Sequence, residues 1–294
     1  MAVPVSTTEF LRPARLAEAL EIKAAHPEAV PLAGGTDLMV EVNFDRRRPA
    51  ALLDLTRVAE LAEWSDVDGR LRIGATVSYT RIIAELGDRL PGLAMAARTI
   101  GSPQIRNRGT LGGNLGSASP AGDGHPPLLA SDAEVELASP RGTRRVPVTD
   151  FFLGPKRSVA EPDELIVAVH VPPAEGPQQF SKIGTRNAMV IAVCSFALAL
   201  HPATGTVGTG IGSAGPTPLR ARAAEEFVAA ELDWATRRPL APEVAQRFGE
   251  LVARAARPID DVRGSAGYRA HALAVLARRT LAWAWRDHCR TRRS

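Results

Sequence analysis

Cysteine is almost missing from this chain. Cys194 and Cys289 are the only two among 294 residues, which excludes a disulfide framework, and an iron–sulfur cluster or structural zinc site needs about four ligands at set spacings. Cys194 sits in the apolar run Val190-Ile191-Ala192-Val193-Cys194, where burial is expected rather than reactivity. Long apolar stretches are missing too, so no membrane-spanning helix is expected. The opening Met1-Ala2-Val3-Pro4 has neither the basic nor the apolar region of a secretion signal, and a cytoplasmic location is the expectation. No Gly-Lys-Ser/Thr closes a glycine loop at Walker A spacing, which argues against nucleotide hydrolysis. Aromatics make up only 5% of the chain, and the net charge is just +4. Arginines scatter except near the end, where Arg278, Arg279, Arg286, Arg290, Arg292 and Arg293 accompany a helical stripe of Leu273, Ala277, Leu281 and Ala284. That pattern fits a solvated or partner-facing helix; no nucleic-acid motif goes with it.

What is present is a 45% hydrophobic, 23% charged composition, ordinary for a folded globular protein. The periodicity predicts a helix from Leu16 to Ala24 after Thr7-Thr8-Glu9-Phe10, then short buried strands at 29–33 and 51–55 in a parallel β–α–β unit. A strand at 71–75 and helices at 80–86 and 93–99 follow. Residues 101–124 form a long Gly-rich stretch read as a functional loop. Strands are predicted at 133–138, 144–148 and 165–171, and a Pro/Gly linker at 172–177. Beyond it, strands at 180–183, 190–200 and 206–211 suggest an antiparallel sheet, and helices are expected at 219–232, 242–256 and 266–288. The layout is α+β.

Two glycine pairs carry the chemistry. Ala33-Gly34-Gly35-Thr36-Asp37-Leu38 directly follows a predicted strand. Adjacent glycines let successive amide N–H groups converge on an anion, although such a pair also marks plain strand-to-helix turns. Thr110-Leu111-Gly112-Gly113-Asn114 repeats the arrangement. Two such nests in one domain suit a ligand with two phosphates, such as a dinucleotide. Gly210-Ile211-Gly212-Ser213-Ala214-Gly215 also matches G-x-G-x-x-G, but Pro216-Thr217-Pro218 stands where a dinucleotide fold needs a helix already begun.

These residues resemble the FAD-binding medium subunits of xanthine dehydrogenase, carbon monoxide dehydrogenase and related molybdenum hydroxylases. The resemblance rests on the stretches at 32–38 and 105–115, on Ala118-Ser119-Pro120-Ala121-Gly122-Asp123, and on those at 211–220 and 260–269, so it spans nearly the whole chain. It implies a two-subdomain (PCMH-like) FAD-binding domain over 1–175, broken near 56–60, then a C-terminal antiparallel sheet with three helices over 178–294. By the same resemblance Leu32, Ala33, Gly34, Gly35, Thr36, Asp37 and Leu38, with Thr110, Leu111, Gly112, Gly113 and Asn114, wrap the FAD pyrophosphate. Asp123 holds a ribose, Lys182 lies near the flavin ring, and Ile100 and Ile166 are further contacts. Gly116 departs from the family, which often has a bulkier residue there. No side-chain acid or base and no metal ligand is implied in this chain. The implied partners are an iron–sulfur subunit and a large molybdopterin subunit, in a dimer of heterotrimers. Electrons would pass through FAD to NAD, oxygen or a quinone, with xanthine or another purine as the favoured substrate of the large subunit. A stand-alone flavin reductase or oxidase, and a non-catalytic FAD-holding assembly subunit, are the competing readings.

Overall fold

The computed structural model describes residues 8–290; the opening Met1–Pro4 segment, Thr7, Arg292 and Arg293 lie outside them. The chain begins with β1 (Glu9–Leu11), α1 (Leu16–Ala25), β2 (Val30–Leu32), α2 (Leu38–Asn43) and β3 (Ala51–Asp54). β3 lies between β1 and β2, parallel to both, and all four of its residues are buried. That double-sided burial is why it reads as an unbroken apolar run. The three-residue β1 is too short to leave a periodic signal, and its Glu9-Phe10 was expected ahead of the first helix instead.

β4 (Trp64–Val67) and β5 (Arg70–Gly74) form a hairpin closed by Asp68 and Gly69, both with left-handed backbone, as a two-residue hairpin turn requires. α3 (Tyr79–Glu85), α4 (Pro91–Arg98), α5 (Pro103–Arg108), α6 (Leu111–Ser117) and α7 (His125–Ala130) follow. The predicted loop at 101–124 is therefore largely helical, and His125 opens α7 directly after it. Capping explains the difference: the Ser102 hydroxyl accepts from Ile105 N, the Thr110 hydroxyl accepts from Gly113 N, and Leu111 and Leu115 bury one face of α6. Capped ends and core contacts outweigh the low helix propensity of glycine.

β6 (Glu134–Ser139), β7 (Gly142–Pro147), the single turn α8 (Val148–Phe151), a small hairpin of β8 (Phe152–Gly154) and β9 (Arg157–Ser158), and β10 (Leu165–Val171) complete the first part. The central antiparallel sheet has the order β4-β5-β10-β6-β7. Leu71, Ile73, Val135, Leu137 and Val169 face Tyr79, Leu93, Leu111, Leu115 and Leu128 from the helices. Leu165, Val167 and Ala138 pack instead against Leu53, Ala19 and Leu61 of the parallel unit.

β11 (Gln178–Ile183), β12 (Cys194–His201) and β13 (Thr206–Gly212) form a second antiparallel sheet, followed by α9 (Arg222–Glu231), α10 (Pro242–Ala255) and α11 (Ala266–Arg290). The strand expected from 190 starts only at Cys194, because Met189 is left-handed and pairing resumes where Val193 N reaches Ile183 O. The helix expected from Leu219 starts at Arg222, since Leu219 still bridges to Ile211. The stripe Leu273, Ala277, Leu281 and Ala284 on α11 is fully buried in the chain's own core, so this face is neither solvated nor open to a partner as the sequence reading had it. Cys194 is buried as well, and burial pushes its thiol up to about 12, so it is inert.

The two faces of this sheet explain the misleading G-x-G-x-x-G. Phe196, Leu198, Leu200, Val207 and Ile211 point to α9, α10 and α11. On the opposite face Ala197 and Ala199 lie across from Gly210 and Gly208. There α7 runs so close that a Cβ on Gly208 would stand 2.0 Å from Ala130 O, and one on Gly210 2.0 Å from Pro126 O. The glycines alternate because one face of a strand repeats every second residue, and they make room for a helix backbone, not a nucleotide.

Candidate cofactor site

The first glycine loop is packed backbone to backbone. A Cβ on Gly34 would fall 1.8 Å from Arg108 O, so this loop is seated against the chain entering the second one. Gly35 has φ +75°, which turns the chain from β2 toward α2. Among the described residues, the backbone N–H groups of Gly34, Gly35, Thr36, Asp37 and Leu38 donate to no protein acceptor. Beside them lies a cavity of about 290 Å³ lined by Phe10, Arg12, Leu32, Ala33, Asp54 and Arg108 among others. Consecutive unspent donors beside Arg108, and an Arg12 that already pairs with Asp54 at 3.5 Å, could receive an anion.

The second loop is not a nest of free amides, which corrects the reading from sequence. Leu111 N donates to Val77 O at 3.4 Å, Gly112 N to Ala75 O at 3.0 Å, Gly113 N to Thr110 Oγ1 at 3.0 Å and Asn114 N to Thr110 O at 3.0 Å. Leu111 and Gly112 are buried and serve the fold: a Cβ on Gly112 would lie 2.5 Å from that of Ala75. What α6 offers a ligand is a bare surface. Gly113 and Gly116, three residues apart on one helix face, are exposed, and Ile166 on β10 borders Gly116.

Past α6 the chain builds a buried polar cluster. Asp123 Oδ2 accepts from Lys182 Nζ at 2.6 Å, and their side chains are only 9% and 6% exposed. Lys182 Nζ also donates to Thr99 O at 3.2 Å, next to the half-buried Ile100. Burial raises the Asp123 carboxyl to about 6 despite the opposing pull of Lys182. Asp123 Oδ1, Asn114 Oδ1 and the Tyr79 hydroxyl are buried with no hydrogen-bond partner among the described residues. The last two converge on Gly124, lying 2.8 and 3.1 Å from where its Cβ would be. Burial first, then the nearby Asp123 and Asp37, push the Tyr79 hydroxyl well above its ordinary value, so it remains a donor. His125 Nε2 lies 3.1 Å from Asn114 O, its ring packs on Phe152 at 4.6 Å, and burial lowers it to about 4. It is therefore neutral and acts as a wall of the cluster.

Each buried polar atom without a partner costs about 1–3 kcal/mol, so three in one cluster mark a place shaped for a ligand's hydroxyls and carbonyls. Sequence reasoning brought Asp123 and Lys182 into one site but missed Tyr79, whose only signal was Ser78 capping α3 and so holding Tyr79 at its first position. Unspent amides, a buried carboxylate–ammonium pair and orphaned polar atoms fit a phosphorylated, hydroxyl-bearing cofactor such as FAD.

The fold and these donors define a protein that holds such a cofactor. Residues 6–174 match the family described as FAD binding domain in molybdopterin dehydrogenase, and residues 179–284 match the CO dehydrogenase flavoprotein C-terminal domain. The chain is 33% identical over 282 residues to the xanthine dehydrogenase FAD-binding subunit of Escherichia coli O157:H7, covering 92% of this chain and 94% of that one. It is 35% identical over 233 residues to the nicotinate dehydrogenase FAD-subunit of Eubacterium barkeri, covering 75% and 79%. Carbon monoxide dehydrogenase from Hydrogenophaga pseudoflava, solved lacking the Mo-pyranopterin moiety of its molybdenum cofactor, has a chain that superposes with a TM-score of 0.87 at 30% identity, over 98% of this chain and 100% of that one. The chain belongs to the family of FAD-binding medium subunits of the xanthine and carbon monoxide dehydrogenases, a family of oxidoreductases.

Proposed function

We propose that this chain relays electrons within a cytoplasmic molybdenum hydroxylase complex, a dimer of heterotrimers in which a small subunit carries iron–sulfur clusters and a large one carries the molybdopterin. Electrons would reach this chain from the clusters and leave for NAD or another acceptor, with a purine the favoured substrate of the large subunit. The observation that supports this most is the buried Asp123–Lys182 pair, with its orphaned carboxylate oxygen, in the same domain as the free amides of residues 34–38. The amides of Gly34 to Leu38 would grip the pyrophosphate. Asp123 Oδ1 would accept from a sugar hydroxyl, and the Tyr79 hydroxyl would donate to the cofactor. Ile100, Ile166 and the bare face of Gly113 and Gly116 would exclude water. FAD, when bound, supplies the two-electron store, and Lys182 would tune it by placing a cation beside the ring. His125, buried with Nε2 3.1 Å from Asn114 O, serves as a wall of the cluster and lends no support to a stand-alone reductase.

Three measurements test this. The purified chain should bind FAD without a covalent bond, and Gly113→Asp, which sets a carboxylate on the bare face of α6, should weaken binding about tenfold or more, about 1.4 kcal/mol. Unchanged binding in a fluorescence titration would remove that face from the site. Lys182→Ala should keep FAD bound yet lower its midpoint potential at alkaline pH, where Asp123 is ionised with or without the lysine; an unmoved potential would end the tuning role. Mixing the FAD-loaded chain with its reduced partner subunits should bleach the flavin absorbance, and persistent yellow colour would leave only a holding role.

A further inference from the structure

The stretches at 211–220 and 260–269 carry part of the family resemblance, yet none of their residues is among those proposed to hold the cofactor. Arg269 joins them. It stands in the first turn of α11 with its side chain only 4% exposed. Its Nη1 donates to Val193 O at 2.6 Å and to Ser213 O at 2.7 Å, Nη2 donates to a carboxylate oxygen of Asp261, and Nε faces Gly264 O at a loose 3.5 Å. Asp261 and Gly264 close their own turn with two mutual backbone bonds of 3.2 Å, which aims the carboxylate. Each carbonyl that shares Nη1 leads to a residue of the buried polar cluster. Val193 N donates to Ile183 O at 2.8 Å and so shuts the 184–193 loop directly after Lys182. β11 is an edge strand whose only sheet neighbour is β12, and their pairing runs out at Ile183. Ser213 N donates to Pro120 O at 2.9 Å, three residues before Asp123. Ser213 has φ +58°, a left-handed backbone that strains a serine, and its buried hydroxyl has no partner among the described residues. Its backbone bonds to Pro120 and Arg269 hold it there. Two carbonyl oxygens gathered on one nitrogen repel each other once the cation between them is gone.

Resting on the reading of Lys182 as the cation that tunes the flavin, we propose that Arg269 is a positioning residue for that cation. It anchors, from α11, the two segments that bring Lys182 and Asp123 together, and part of the flavin's potential is thereby set by an arginine that acts only through them. Lysine cannot take its place, because an ammonium has no planar fork to serve two carbonyls and a carboxylate at fixed angles.

The test is potentiometric, on the FAD-loaded chain at alkaline pH. Arg269→Lys keeps the charge, so a shift reports geometry; it should make reduced flavin about tenfold less favoured, a fall of about 30 mV for a two-electron couple. In a Lys182→Ala background the same change should add nothing, because the group it positions is gone. Gly264→Ala, whose Cβ would press on Val193 Cγ1 at 3.1 Å, disturbs the same anchor without altering charge. It should give a smaller fall, also absent once Lys182 is removed, and it decides the matter if Arg269→Lys does not fold or does not hold FAD. Arg72→Lys, which loosens the separate Arg72–Glu136 pair, should leave the potential where it is. An unmoved potential in both Arg269→Lys and Gly264→Ala overturns this inference alone, as does an equal fall in Arg72→Lys or a fall that persists without Lys182. An unmoved potential in Lys182→Ala itself would instead sink the tuning reading beneath it.

Discussion

Asp123→Asn is expected to destabilise the cofactor-free protein by about 3–5 kcal/mol at pH 7, the range for breaking a buried pair by removing one partner. Lys182→Met, which breaks the same pair from the other side, is expected to cost far less. The asymmetry follows from which group can shed its charge. Asp123 has a folded pKa of about 6, raised by burial from an ordinary 3.8. Without Lys182 it takes up a proton, and at pH 7 that escape limits the extra penalty to about 1.4 kcal/mol, one pH unit's worth. A lysine would have to give up a proton held near 10.4 in water, which at pH 7 amounts to about 4.6 kcal/mol. The sign of the pH dependence follows as well. A carboxyl whose pKa is raised by folding contributes stability that is full below about pH 4 and is lost as pH rises through 6, about 3 kcal/mol in all. In Lys182→Met this loss should continue to higher pH than in the unaltered protein. Chemical denaturation of the two single variants and the double variant, across pH 4 to 8, gives the comparison. If Lys182→Met proved the more damaging change at pH 7, the assignment of the buried pair's charges would be wrong.

How much of this was legible in the sequence depended on whether the signal was local. The first glycine loop was, because a strand, two glycines and a threonine lie in consecutive positions and their amides do stay unspent. The second loop carried the same letters for another reason. Gly112 is small because Ala75, 37 positions earlier, packs against it, and the amides are consumed by Ala75, Val77 and Thr110. Nothing in a local window separates those two causes. Asp123 lies in the loop before α7 and Lys182 on β11, so they meet only in the folded chain; the family resemblance placed both near one cofactor, but not in contact with each other. Beyond the Ser78 cap Tyr79 gave no signal, since a buried tyrosine without a hydroxyl partner differs from a core aromatic only in three dimensions. The Asp68-Gly69 hairpin signal was present and unused, and β4 went unseen with it.

The glycines of β13 give the second large effect. Gly210→Ala should destabilise the protein by about 3 kcal/mol or more and also abolish FAD binding, although Gly210 packs against α7 and is not part of the proposed phosphate loop. Its added Cβ would meet Pro126 O at 2.0 Å, and Pro126 Cα and C at 2.6 Å. Overpacking typically costs about 1–3 kcal/mol when side chains can move aside, but here the obstacle is helix backbone, so α7 itself must shift. α7 starts two residues after Asp123 and is wedged between the two sheets, with all six of its residues buried. Displacing it pulls Asp123 away from Lys182 and His125 away from Asn114, which dismantles the polar cluster. Gly267→Ala supplies the control, because a Cβ there meets nothing within 4 Å and Gly267 sits in the first turn of α11. Alanine should be neutral or stabilising there, by up to about 1 kcal/mol. Thermal unfolding and FAD content measured on both variants decide the point. A Gly210→Ala protein as stable as Gly267→Ala, yet empty of FAD, would return the G-x-G-x-x-G segment to direct nucleotide contact. Loss of both properties together would establish that this glycine stripe acts on the cofactor only through the helix it lets in.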